Sequence, residues 1–259
     1  MSTVTAAQPG REALFRYVLR LGDTSLVLGQ RLAEWVGHSP ALEEDLGLAN
    51  LSLDLVGQAR LLLTYAGEIE GQGRDEDALA FLRDAPAFVN LTLAEQPNGD
   101  FGRSVVRQFL LDAWQLEVYE GLLKSNDARL AGIAAKAIKE TRYHFRFSSG
   151  WLVRLGDGTD ESHRRVQDAL NDLWRFTTEM FVADEVDDAV TAAGIAPDLA
   201  VLQPQWSARV DEVLKRATLL RPAPVAYQWH GKHGVHTEHL GHMLAEMQHL
   251  QRTYPGAQW

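Results

Sequence analysis

The sequence predicts an all-α protein, a four-helix bundle followed by accessory helices. Three observations carry that prediction. Apolar residues recur at three- and four-residue spacing over long stretches, clean alternation at period two is nearly absent, and two long helical hairpins are separated by a large insertion. The first helix is expected over about residues 11–36, where Leu14, Val18, Leu21, Leu28 and Leu32 line one side, with an end near Gly37. Ser39 is the expected cap of the second, Pro40 suits its first turn, and Glu43, Glu44 and Asp45 stand at its positive end. That helix should reach Ala66. A short helix over 75–83 precedes Gln96-Pro97-Asn98-Gly99-Asp100, a strong turn signal.

The third long helix is expected over about 100–124. Asn126 or Asp127 caps the fourth, which runs through Trp151 to about Leu155 before Gly156-Asp157-Gly158 stops it. Further helices are expected over 161–177, 184–193, 198–219 and 236–252, with an extended loop at 221–234. No composition shift divides the chain, and the glycine-bearing stretch at 67–73 is too short to separate folding units. One domain is therefore expected over 1–259, with a bundle core at about 11–155 and accessory helices at about 161–252.

Composition narrows the function classes. A formal charge of −10 and a pI near 5.4 repel a phosphate backbone, and no basic stripe with interleaved aromatics offsets that field, so nucleic acid is not an expected partner. The absence of cysteine excludes a disulfide, a thiolate nucleophile and Cys-ligated zinc. The first dozen residues lack the apolar core of a signal peptide and no run of eighteen apolar residues appears, so the expected location is the cytoplasm, with no membrane association.

In ferritin-like carboxylate proteins two helices each give one Glu and two give Glu-x-x-His, because residues at i and i+3 share a helix face. Two tetrads stand at the corresponding places here and neither spells that motif: Leu55-Val56-Gly57-Gln58 and Thr141-Arg142-Tyr143-His144. The interval from Ser25 to Asp112 agrees within one residue with that from Leu55 to Thr141, so the six expected di-iron positions are Ser25, Leu55, Gln58, Asp112, Thr141 and His144. Only Asp112 and His144 keep a ligand side chain. Two bridged iron ions need several carboxylates for charge balance, so no metal, no catalytic residue and no cofactor is expected in this chain. Gln58, Asp112 and His144 are expected instead as buried polar residues, hydrogen-bonded to one another or to nearby Arg and Lys; a buried aspartate without a cation or donor would take up a proton. Asp23, Asp54 and Glu140 lie beside the lost positions and could shift inward, which leaves a divergent ferritin-like metalloenzyme as the alternative.

Leu21-Gly22-Asp23, Leu28-Gly29-Gln30-Arg31-Leu32, Glu34-Trp35, Glu43-Glu44-Asp45-Leu46, Leu53-Asp54-Leu55, Gly57-Gln58-Ala59-Arg60, Glu95-Gln96-Pro97-Asn98-Gly99-Asp100-Phe101, His236-Thr237-Glu238-His239-Leu240-Gly241 and Leu244-Ala245-Glu246-Met247-Gln248 follow one another in an order that resembles the C subunits of phenylacetyl-CoA epoxidases, multicomponent monooxygenases of bacterial phenylacetate breakdown. The resemblance covers nearly the whole chain. It implies a ferritin-like structural subunit with a decayed metal site. Its implied partners are a paralogous catalytic A subunit that keeps both Glu-x-x-His motifs, a small bridging B subunit and a reductase. Iron, O2 and NADPH-derived electrons would belong to those partners.

Other constellations are weaker. His230, His233, His236, His239, His242 and His249 crowd the C-terminal stretch; His239, His242, Glu246 and His249 would share a face that admits a surface zinc, but an amphipathic helix docking on the body or a partner is the simpler expectation. Asp160, Ser162 and His163 are consecutive enough to be a helix start, with Asp or Ser as cap and His exposed, rather than a hydrolase triad. Gly22, Gly29 and Gly57 are expected to permit close helix contact. Trp229 and Trp259 are the tryptophans expected to meet another chain.

Overall fold

A computed structural model describes residues 9–257. Its first hairpin joins α1, Pro9–Ala33, to α2, Leu42–Glu70. The two helices run antiparallel and close together because α1 carries glycines where α2 presents leucines: a Cβ at Gly22 would lie 2.8 Å from Leu63, and one at Gly29 3.3 Å from Leu55. Gly57 has no such role within the chain, since a Cβ there would meet nothing within 4 Å. The second hairpin joins α4, Phe101–Leu122, to α5, Ala128–Gly156, and stacks Phe109 on Phe145. Between the hairpins lie α3, Glu76–Phe81, and an irregular segment that threads Phe88, Leu91 and Leu93 into the core. The all-α, ferritin-like expectation is met, with no strand among the described residues.

Local chemistry sets most helix starts. Asp75, Asp100 and Asp127 each accept a hydrogen bond from a backbone N–H three residues on, so Asp127, not Asn126, caps α5. The second helix departs from expectation. It is capped by Ala41 without a side-chain bond, and Asp45 reaches back to accept from Gly37 N at 2.9 Å and Ser39 N at 3.4 Å. It also runs a turn beyond Ala66 and stops at Gly71, whose φ of 71° is the left-handed C-cap geometry.

The accessory part begins with α6, Asp160–Leu173, where Thr159 is the cap and Ser162 returns the bond in a capping box. His163 is half-buried rather than exposed, its Nδ1 2.7 Å from Gly156 O. A 3-10 segment, Trp174–Phe181, follows in place of the expected continuation of α6. Then come α7, Glu185–Ala192, and α8, Leu199–Arg216, capped by Asp184 and Asp198. The final helix breaks into α9, Glu238–Met247, and α10, His249–Thr253. Leu240, Met243 and Leu244 of α9 are buried on the body, as an amphipathic helix requires, while His242 and His249 face outward. No group of three His, Asp or Glu residues placed to hold a metal occurs among the described residues, there or elsewhere. Trp229 packs on Phe176 at 4.7 Å, inside its own chain, and Trp259 lies outside the described residues.

α2 is long and apolar enough, at a mean hydropathy of 1.2 over its best window, to match a membrane span by composition alone. Half of that window is buried inside the protein, against α1 and the bundle interior.

The C-terminal segment is tied down by buried charge. Glu95, fully buried, accepts from Asn90 Nδ2, Thr237 N, Thr237 Oγ1 and His236 Nδ1. His236 Nε2 lies 2.8 Å from Phe88 O, so both ring nitrogens face acceptors and only the imidazolium can donate to both. Burial opposes that charge, but Glu95 and the Phe88 carbonyl outweigh it and raise the pKa above 6.5. The sign follows: the clasp is at full strength below about pH 6.5 and weakens as pH rises through the raised value. Proteolysis within residues 221–257 should therefore accelerate with rising pH in the native protein and lose that dependence in His236→Gln; parallel profiles for both would refute the clasp.

Candidate functional site

The inward faces of α1, α2, α4 and α5 bring all six expected positions into the bundle interior: Ser25, Leu55, Gln58, Asp112, Thr141 and His144 are each 2% exposed or less. They do not converge as ligands. Leu55 fills space, Thr141 Oγ1 donates to Ala137 O at 3.0 Å in its own helix, and Ser25 Oγ accepts a long bond of 3.5 Å from Gln115 Nε2. Gln58 accepts from Tyr119 OH at 3.1 Å and donates to Glu140 Oε2 at 3.0 Å.

Asp112 is held differently. Its Oδ1 accepts from Gln108 Nε2 at 2.6 Å and its Oδ2 from Ser148 Oγ at 2.7 Å, and no Arg or Lys pairs with it. Burial raises its pKa to about 8, the two donors only partly opposing the rise, so the group is a neutral carboxylic acid over most of the physiological range. The expected donor neighbours are present. The expected bonds among Gln58, Asp112 and His144, or from them to Arg and Lys, are not.

His144 Nε2 lies 3.0 Å from Asp54 Oδ2 at the seam between α2 and α5, and its Nδ1 is buried without a partner. Burial lowers the His144 pKa against the pull of Asp54, so the ring is neutral and donates from Nε2. Of the acids beside the lost positions, Asp54 is committed to His144 and Glu140 to Gln58. Asp23 is fully buried with both oxygens on Arg83 and a further bond from Val89 N. None turns inward. A bridged di-iron pair, which the fold class suggests, does not fit this donor set: the six positions supply one carboxyl and one imidazole, and the others are a methyl-ended side chain, two hydroxyls and an amide.

Tyr119, Gln115, Gln108 and Ser148 join the interior beyond the six expected positions. A sequence signal for them exists, since 108, 112, 115 and 119 follow the inward stripe of α4 and Ser148 stands one turn beyond His144.

Comparison with known proteins bears on what this interior serves. A family described as "Phenylacetic acid catabolic protein" matches residues 1–259. The chain belongs to that family. Among curated proteins, the C subunit of the 1,2-phenylacetyl-CoA epoxidase of Escherichia coli (strain K12) is 57% identical over 246 residues, covering 95% of this chain and 99% of the relative. Membership of the family and this similarity support a role in phenylacetate catabolism, and the resemblance drawn from the sequence motifs holds over the full length.

Proposed function

We propose that the chain is a non-catalytic, structural subunit of a multicomponent phenylacetyl-CoA 1,2-epoxidase, acting in the cytoplasm as the partner of a catalytic subunit that carries the di-iron centre. The observation that carries this reading is Asp112: the carboxyl that could anchor a metal has both oxygens engaged, by Gln108 and Ser148, among positions that offer no second carboxyl. Iron, O2 and the electrons of NADPH then belong to the other members of the complex, with a small bridging B subunit and a reductase completing the assembly.

The alternative, a divergent metalloenzyme, has one observation in its favour: the unpartnered Nδ1 of His144. Metal analysis separates the two. The purified chain is expected to carry far less than one iron per molecule whether or not His144 is changed to Ala, and to restore epoxidation of phenylacetyl-CoA only with the catalytic subunit. Stoichiometric iron that disappears in His144→Ala would defeat the proposal.

A further inference from the structure

α2 and α5 lie side by side and antiparallel, Gly47 against Phe147, Asp54 against His144, Gln58 against Glu140, and form one outer wall of the bundle. What faces away from the core on that wall is unusual for solvent. Leu42, Leu46 and Leu53 are 70%, 56% and 70% exposed. At 100° per residue they fall within about 40° of one another, on the same stripe as Gly57. Tyr143, exposed, and Phe147, half-buried, border them from α5. Scattered exposed leucines need no explanation, but three on one helix stripe beside two aromatics make a patch.

The basic charge of this wall lies on α5 alone, since α2 carries Glu43, Glu44, Asp45, Asp54, Glu68 and Glu70 against Arg60. α5 carries Arg129, Lys136, Lys139, Arg142, Arg146 and Arg154 against the single acid Glu140, in a protein of net charge −10. Lys136, Lys139, Tyr143, Arg146 and Arg154 share the outward face of α5 by helical spacing, and Arg146 and Arg154 lie over Tyr143 and Trp151 rather than against carboxylates. An apolar stripe with a basic flank fits a partner that is apolar along its centre and acidic along one side. The glycine at 57, costly inside a helix and free of any neighbour within this chain, leaves room for another backbone to approach.

Resting on the subunit reading above, we infer that the outer wall of α2 and α5 is the surface that docks the catalytic subunit, through a helix apolar at its centre and acidic along the flank that meets α5. The test is co-expression with that subunit and measurement of the dissociation constant for the wild type, Leu53→Asp, Gly57→Gln and the pair Lys139→Glu/Arg146→Glu. All these side chains are at the surface, and Gly57→Gln replaces a helix-interior glycine, so thermal unfolding of the isolated chain should be unchanged or, for Gly57→Gln, shifted upward. Leu53→Asp is expected to weaken association at least about 30-fold, the scale of an interface hot spot. The charge reversal should slow association and remove much of its salt dependence.

Wild-type affinity retained in Leu53→Asp and Gly57→Gln would overturn this surface while leaving the subunit reading intact. A wild type that does not associate with the catalytic subunit would overturn both. Two other occupants are also decided: self-association of the isolated chain abolished by Leu53→Asp would assign the wall to a second copy, and binding to vesicles rich in anionic lipid abolished by the same change would assign it to a membrane surface. Either result rejects the proposal.

Discussion

Asp112→Asn should make the protein less sensitive to pH and more stable above neutrality. The carboxyl has a pKa of about 8 in the folded protein against 3.8 in its ordinary state, so the folded chain holds a proton that the unfolded chain has released across that window. The sign is therefore fixed: stability from this residue is complete below the ordinary value and falls as pH rises toward about 8, at up to about 1.4 kcal/mol per pH unit. Asparagine fills the same space without an ionisable proton and keeps an acceptor and a donor for Ser148 and Gln108, whose own Oε1 is buried without a partner. Denaturant unfolding at pH 5 and pH 8 should show the wild type losing about 3 kcal/mol more than Asp112→Asn between those conditions. If the two proteins instead change in parallel, Asp112 is ionised in the fold and the neutral-acid account is wrong. A metal ligand would behave in the opposite sense, since removing its charge would cost affinity and stability together.

Helix starts are legible in the sequence because a cap is a local event. Asp75, Asp100 and Asp127 bond to amides three residues away, and nothing distant enters the argument. Ser39 misleads for the complementary reason: the turn before α2 is closed by Asp45, from inside the helix, and a backward reach of six to eight residues leaves no short-range signature. Position also outruns partnership in the interior. The spacing rule places Ser25, Leu55, Gln58, Asp112, Thr141 and His144 inside the bundle, yet their partners depend on how α2, α4 and α5 register across it. Tyr119 meets Gln58 and Ser148 meets Asp112 because of helix packing that no single-helix period contains. Buried arginines are the least legible. Arg107 is fully buried, its pKa lowered to about 9 by burial and then by Arg31, and it spends its guanidinium on Gln96 O and Asn98 Oδ1. Composition alone assigns arginine to the surface. The turn at Gln96-Pro97-Asn98-Gly99-Asp100 is thus a junction, with Arg31 from α1 donating to Glu95 O and His239 O, and Arg107 from α4 closing the other side.

Asp23→Ala should be among the most destabilising single changes. Asp23 and Arg83 form a bidentate pair with side chains 0% and 4% exposed, which joins α1 to the segment after α3. Arg83 also donates to Ala87 O at 2.8 Å and lies over the Phe88 ring at 4.2 Å, so its guanidinium is fixed by more than the ion pair. It therefore cannot swing to water when Asp23 is removed. Deleting the carboxylate strands a buried cation and leaves Val89 N without its acceptor, at a cost of about 3–5 kcal/mol. The double change Asp23→Leu/Arg83→Met removes both charges and fills the volume with apolar atoms, so it should cost less than Asp23→Ala alone. A double-mutant cycle by equilibrium unfolding checks the order. Should Asp23→Ala lie within about 1 kcal/mol of wild type, the range of an exposed pair, Asp23 is not committed to Arg83. It would then be free to turn inward beside Ser25, and the case against a carboxylate donor in the bundle interior would reopen at that residue.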